Sequence, residues 1–276
     1  MADWTLRHRL ATAEGEIAWD RFGDGPAVVL AHGTPWSSWT WRRIAPRLAE
    51  RFAVYVFDLL GFGASEQRDG QDVSLAGHGR RLAELLELWG LERPAVVAHD
   101  IGGAATLRAH LLHRKPMAAL ALVDVVALGP WGSPFYRLVG EHEAVFRQLP
   151  AAIHEGVVRS YVGTAQARPL ERAVEDALVS PWLGPLGQPA FYRQIAQGDQ
   201  RDTDEVEPRY GEVAAPTLVV WGAADPWIPV THGRELARRI PRARLEILPD
   251  AGHLVQEDAP DELARLLAGH LESSLD

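Results

Sequence analysis

The stretch AHDIGG, residues 98–103, follows the apolar run PAVV. An apolar strand that runs into a turn of small residues often presents a nucleophile there, most commonly serine. Here the central residue is an acid, Asp100. A serine hydroxyl must lose a proton before it attacks, whereas a carboxylate is already ionised at neutral pH. It can displace a leaving group from saturated carbon and form an alkyl ester. Attack on an acyl group would give an anhydride, a poor route to ester hydrolysis. Two later residues complete the chain order nucleophile, acid, base: Asp225 in WGAADPWIP and His253 in PDAGHLVQED. A histidine so placed can activate water against the ester, and the second acid can orient its ring and stabilise the imidazolium.

Side chains so far apart in sequence need a scaffold that gathers them. Six apolar runs read as buried parallel strands, at 27–33, 53–61, 94–100, 119–127, 216–222 and 244–250. They are rich in Val, Leu and Ile and lack strict alternation, as expected where both faces of a sheet are covered. Helical patterns at 38–50, 74–90 and 102–114 separate the earlier strands. The expected fold is therefore α/β, a mainly parallel, doubly wound sheet. The rhythm breaks over 129–211, where GPWGSPFY and SPWLGPLGQP punctuate helical patches at 136–149, 151–162, 170–179 and 189–197. This segment reads as an inserted helical cap, with 1–128 and 212–276 forming the core. Asp100, Asp225 and His253, with HGTPW (32–36) and DLLGFGAS (58–65), then fall just beyond strand C-termini, where open parallel sheets bind ligands.

Composition narrows the partners. The chain has 276 residues, 47% of them hydrophobic, enough for a large core. Its 28 basic and 37 acidic residues give a net charge of −9, and no Lys/Arg run stands out, so neither nucleic acid nor an anionic membrane is an expected partner. There is no cysteine, which excludes disulfides and thiolate catalysis. The N-terminal stretch lacks the apolar segment of a signal peptide, and no run reaches the ~18 apolar residues of a membrane span, so a cytoplasmic location is expected. A small-molecule substrate and water are the expected partners. His110 and His113 share a helix face, but no third ligand accompanies them, so neither a metal nor any other cofactor is expected. The oligomeric state is not legible.

From about residue 14 to its end the chain resembles the α/β-hydrolases. The nucleophile-elbow pattern, small-x-nucleophile-x-Gly, stands as Ala98-His99-Asp100-Ile101-Gly102. Aspartate at its centre points to the branch that contains epoxide hydrolases, haloalkane dehalogenases and fluoroacetate dehalogenases. HGTP followed by Trp41 resembles the oxyanion loop of that branch. The resemblance implies that backbone amides of Thr34 and Ile101 hold the oxyanion during ester hydrolysis, with Asp100, His253 and Asp225 as the catalytic triad. Some dehalogenases carry the third acid where this chain has Asp124, but the context of Asp225 is the commoner one. Asp58 reads as structural, fixing the GFGAS turn.

The resemblance leaves the reaction open between ring opening and halide displacement. The Trp that follows the nucleophile in haloalkane dehalogenases is Ile101 here, and the Asn of their His-Gly loop is Thr34. The paired Arg of fluoroacetate dehalogenases are also absent. AFYRQIAQ resembles the cap motif that carries a ring-opening tyrosine of epoxide hydrolases, making Tyr192 a candidate proton donor. Tyr136 is the nearest candidate for the second tyrosine, and His142 lies near a halide-binding position. Trp36 and His99 are further candidates for substrate contact, and Trp39, Trp131 and Trp182 for an apolar lining. The alternative class is a non-hydrolytic protein of the same fold, either a ligand-binding protein or a lyase or isomerase.

Overall fold

The computed structural model describes residues 4–275. An eight-stranded sheet runs through it, formed by β1 (His8–Thr12), β2 (Gly15–Phe22), β3 (Ala27–Ala31), β4 (Ala53–Phe57), β5 (Ala95–His99), β6 (Leu120–Val123), β7 (Thr217–Gly222) and β8 (Ala243–Leu248). The spatial order is β1-β2-β4-β3-β5-β6-β7-β8. From β3 onward every pairing is parallel, and only the β1–β2 hairpin and its junction with β4 are antiparallel. The expected α/β-hydrolase fold is therefore present, with the hairpin added at one edge.

The alternation of side chains along the strands explains why their sequence shows no polar face. Val29, Val96, Leu122 and Val219 join one apolar cluster, while Val28, Val97, Val123 and Val220 join a second on the opposite face. Both faces are covered, so every position of β5, β6 and β7 is buried. Helices α1 (Ala45–Leu48), α2 (Leu75–Leu88) and α3 (Ile101–Leu111) connect the earlier strands. The expected helix 38–50 is divided into a 3-10 turn, Ser38–Arg43, and the single turn of α1. Pro46 is the reason: it lacks the N–H that an unbroken helix would donate back to Arg42.

After β6 come four longer helices with no strand between them: α4 (Pro134–Phe146), α5 (Ala151–Gly163), α6 (Arg172–Val179) and α7 (Gly184–Ala196). The last begins five residues before the expected 189. Pro185 occupies its first turn, and Pro189, read from sequence as the start, lies inside it. A short α8 (Arg201–Asp204) leads back to β7. Then α9 (Val230–Arg239), α10 (Val255–Asp258) and α11 (Pro260–Leu275) complete the chain. Hydrogen bonds tie the four-helix segment to the loop after β3. Trp182 Nε1 donates to the Pro35 carbonyl at 2.7 Å, and Thr34 Oγ1 donates to Gln194 Oε1 at 2.7 Å.

Candidate active site

Asp100 sits between β5 and α3 with φ 51° and ψ −123°, a conformation that L-residues rarely adopt. Such strain persists where the surroundings over-determine it, and sharp strand-to-helix turns of this kind lift a side chain clear of the sheet. Two glycines permit the approach. A Cβ on Gly33 would stand 2.4 Å from Asp100 Oδ1, and one on Gly102 would stand 2.5 Å from the His32 carbonyl oxygen. The Thr34 amide donates to Asp100 Oδ1 at 2.7 Å. Ile101 begins α3, so its amide has no acceptor within the helix.

The loop after β8 supplies His253, and its backbone N–H is fixed by the Ala165 carbonyl at 2.7 Å. His253 Nε2 lies 3.3 Å from Asp100 Oδ2, close but not aligned on it as a hydrogen bond. Its Nδ1 meets Asp225 Oδ2 at 2.9 Å. The other oxygen of Asp225 accepts the amides of Trp227 and Ile228 at 2.7 and 2.9 Å, which fixes the carboxylate. Asp100, His253 and Asp225 thus converge in the expected order.

Electrostatics divide the buried groups into charged and neutral. Burial pushes the His253 pKa down, but the Asp225 and Asp100 carboxylates outweigh it and hold the ring well above its ordinary value. Burial also works against the Asp100 anion, yet His253 and the Thr34 amide keep its pKa below the usual carboxylate value. Asp124 behaves differently. Burial and the adjacent Asp225 charge hold its carboxyl well above the carboxylate range, which favours its neutral form. One of its oxygens accepts the Gly222 amide at 2.9 Å. Asp124, Asp225 and His253 form a cluster of metal-ligand type, in which His253 bonds Asp225 and Asp124 bonds the Gly222 amide.

A cavity of about 250 Å³ opens over the Asp100 carboxylate. Thr34, Ile101, Val126, Trp131, Tyr136 and Tyr161 are among its walls, with Pro226, Trp227 and Ile228 on the side of Asp225. Of the residues expected at a substrate, Tyr136 is here. Its phenol and that of Tyr161 make no hydrogen bond among the described residues. Burial first, and the Asp100 charge in addition, raise the pKa of both, so both phenols stay protonated.

Four of the expected contacts lie elsewhere. Tyr192 is fully buried, and its hydroxyl bonds His154 Nδ1 at 2.9 Å. The other nitrogen of His154 bonds the Trp182 carbonyl at 2.8 Å, so the Tyr192 O–H is a packed structural donor. His142 is exposed at a kink in α4. His99 is buried behind His253; its Nε2 bonds the His253 carbonyl at 2.9 Å, and burial pushes its pKa down to about 3, so it stays neutral. Trp36 stacks on Trp227, ring centroids 5.8 Å apart, and backs the cavity wall without lining it. Among the other tryptophans, Trp131 lines the cavity, Trp182 is buried against Pro35, and Trp39 is not in its wall. Asp58 accepts the Ser38 and Ala64 amides at 2.7 Å each and fixes its turn as expected.

Sequence reasoning missed Tyr161 and Trp227. The signal for Tyr161 was its place on the face of α5 that carries Ile153 and Val157 at helical spacing. Trp227 follows Asp225 by two residues, within the loop that delivers the acid to His253.

The family described as alpha/beta hydrolase fold matches residues 26–260. A solved alpha/beta hydrolase fold protein from Burkholderia ambifaria has a TM-score of 0.93 and 48% identity, covering 96% of this chain and 97% of that one. A 2-hydroxy-6-oxo-6-phenylhexa-2,4-dienoate hydrolase of Comamonas testosteroni is 27% identical over 91% of this chain and 89% of its own length. Haloalkane dehalogenase 2 of Mycobacterium bovis is 26% identical over 92% of this chain and 90% of its own. The last two names describe the cleavage of different bonds, so likeness alone does not select a reaction.

Proposed function

This chain belongs to the alpha/beta hydrolase fold family, and we propose that within it the protein is a hydrolase that opens epoxides through an alkyl ester on Asp100. The observation that carries the proposal is the cavity itself. An ionised carboxylate faces a small apolar space whose wall holds two protonated phenols, Tyr136 and Tyr161, without hydrogen-bond partners among the described residues. A strained ether needs both: a nucleophile for carbon and a proton for the departing oxygen.

In this reading Asp100 Oδ2 attacks the ring carbon while Oδ1 stays on the Thr34 amide. The ring C–O bond breaks, and its oxygen takes a proton from Tyr136 or Tyr161. His253 Nε2 then removes a proton from water, which adds to the ester carbonyl carbon. The Thr34 and Ile101 amides hold the oxyanion. Collapse releases a diol and restores the carboxylate, and the proton on His253 returns to the tyrosinate. Asp225 steadies the imidazolium in between. Segment 129–211 serves as the cap, since Trp131, Tyr136 and Tyr161 come from it. No metal or other cofactor enters any step.

Halide displacement fits less well. The two cavity tryptophans have their indole N–H groups engaged, Trp131 with Thr203 Oγ1 and Trp227 with Thr164 Oγ1, each at 2.9 Å. Neither is free to solvate a leaving halide. The test is a panel of small epoxides, haloalkanes and haloacids read by diol formation and halide release. Tyr136→Phe and Tyr161→Phe should each slow ring opening, and together by about 10²–10⁴-fold, the scale of general acid catalysis. Halide release with no diol, or an undiminished rate in the double variant, would refute the epoxide reading.

A further inference from the structure

Beside the reaction cavity lies a larger apolar groove of about 730 Å³, open to solvent. The two adjoin, sharing Ser133, Pro134, Pro226 and the stacked rings of Tyr161 and Trp227, centroids 4.6 Å apart, as walls. One face of α5 forms the floor, with Tyr161 at the cavity end and Val157, Gly156 and Ile153 successively further out. Among the described residues, none that is charged lines it. Ile153 is 56% exposed there, an apolar side chain facing water on a surface that adjoins a buried site. From Tyr161 to Ile153 the floor runs about 12 Å at the ~1.5 Å helical rise, room for roughly nine extended methylenes.

We propose that this groove holds the uncharged apolar tail of the substrate, so that the substrate class is the elongated terminal epoxide, with its ring over Asp100 and its chain along α5. The proposal rests on the epoxide reading for the identity of the head group and on the groove alone for the tail. A carboxylate-bearing chain is not the class that fits, because the groove offers no cation to it.

The test compares 1,2-epoxyalkanes from four to twelve carbons with the matching 1-alkanols, whose binding is measured by calorimetry and requires no ring opening. For chains that enter the groove, each methylene should lower KM, and the alkanol Kd, by about three- to fourfold. Gly156→Trp obstructs the groove, since a Cβ at Gly156 meets nothing within 4 Å. It should cut the preference for the longest over the shortest alkanol at least tenfold, and Ile153→Glu should do so by charge. A chain-length-independent Kd, or a preference unchanged in both variants, would overturn the proposal. So would a change of oligomeric state in Ile153→Glu with alkanol binding intact, which would make the groove a contact between copies of the chain. If no epoxide is opened but alkanols still bind by length, the ring-opening reading fails and the tail site stands.

Discussion

In the proposed reaction, esterification of Asp100 would remove one of the two negative charges that hold the His253 pKa up, while Asp225 remains. The two charges together favour the protonated ring, and once the ester exists the ring gives up its proton more readily, so that its neutral form is available when a base is needed. The pH dependence follows with opposite requirements for the two steps. Attack needs Asp100 ionised, and its lowered pKa keeps it so well into the acid range. Ester hydrolysis needs His253 neutral, and protonation on lowering the pH removes that form. Turnover near pH 5 should therefore leave more ester on the protein than turnover near pH 9, since Asp225 still holds the ring pKa above its ordinary value once Asp100 is esterified. Acid-quenched intact mass at the two pH values reads this directly, and equal ester levels would contradict the assignment. At this scale the meeting of Asp100, His253 and Asp225 was legible in the sequence, because strand-end position and chain order are local features. The residues flanking it were not. Tyr192 and His99 have the types a site uses, yet one is turned onto His154 and the other onto the His253 backbone. Which way a side chain faces is decided by packing between segments distant in sequence.

Among the elements, the buried strands were the most legible, because Val- and Leu-rich runs covered on both faces have no other use in a soluble core. The β1–β2 hairpin escaped notice for the converse reason. It lies at the sheet edge, and HRLAT is largely exposed, so no apolar pattern marks it. In the helical segment, the proline positions misled the start of α7, and the kink at His142 redirected the end of α4. Tyr192 belongs to this scale as well, since it joins α7 to α5 through His154 and onward to Trp182. Tyr192→Phe should leave His154 Nδ1 buried without a donor and lower stability by about 1–3 kcal/mol. Ring opening should stay within a few-fold of the unaltered protein. Thermal denaturation together with initial rates checks both halves, and a hundredfold loss of rate with unchanged stability would restore Tyr192 as the proton donor.

For the molecule as a whole, the sheet brings residues 34, 100, 225 and 253 to one end, and the segment 129–211 supplies most of what faces them. No helix among the described residues is long and apolar enough to cross a membrane. The central claim is that Asp100 bonds covalently to the substrate, and it is tested most directly by one turnover of excess enzyme with a terminal epoxide in water enriched in heavy oxygen. Attack by Asp100 places light carboxylate oxygen in the first diol and leaves heavy oxygen in the peptide that contains Asp100. Heavy oxygen appearing in the first diol, with none in that peptide, would mean that Asp100 only activates water, and the alkyl-ester account would be wrong.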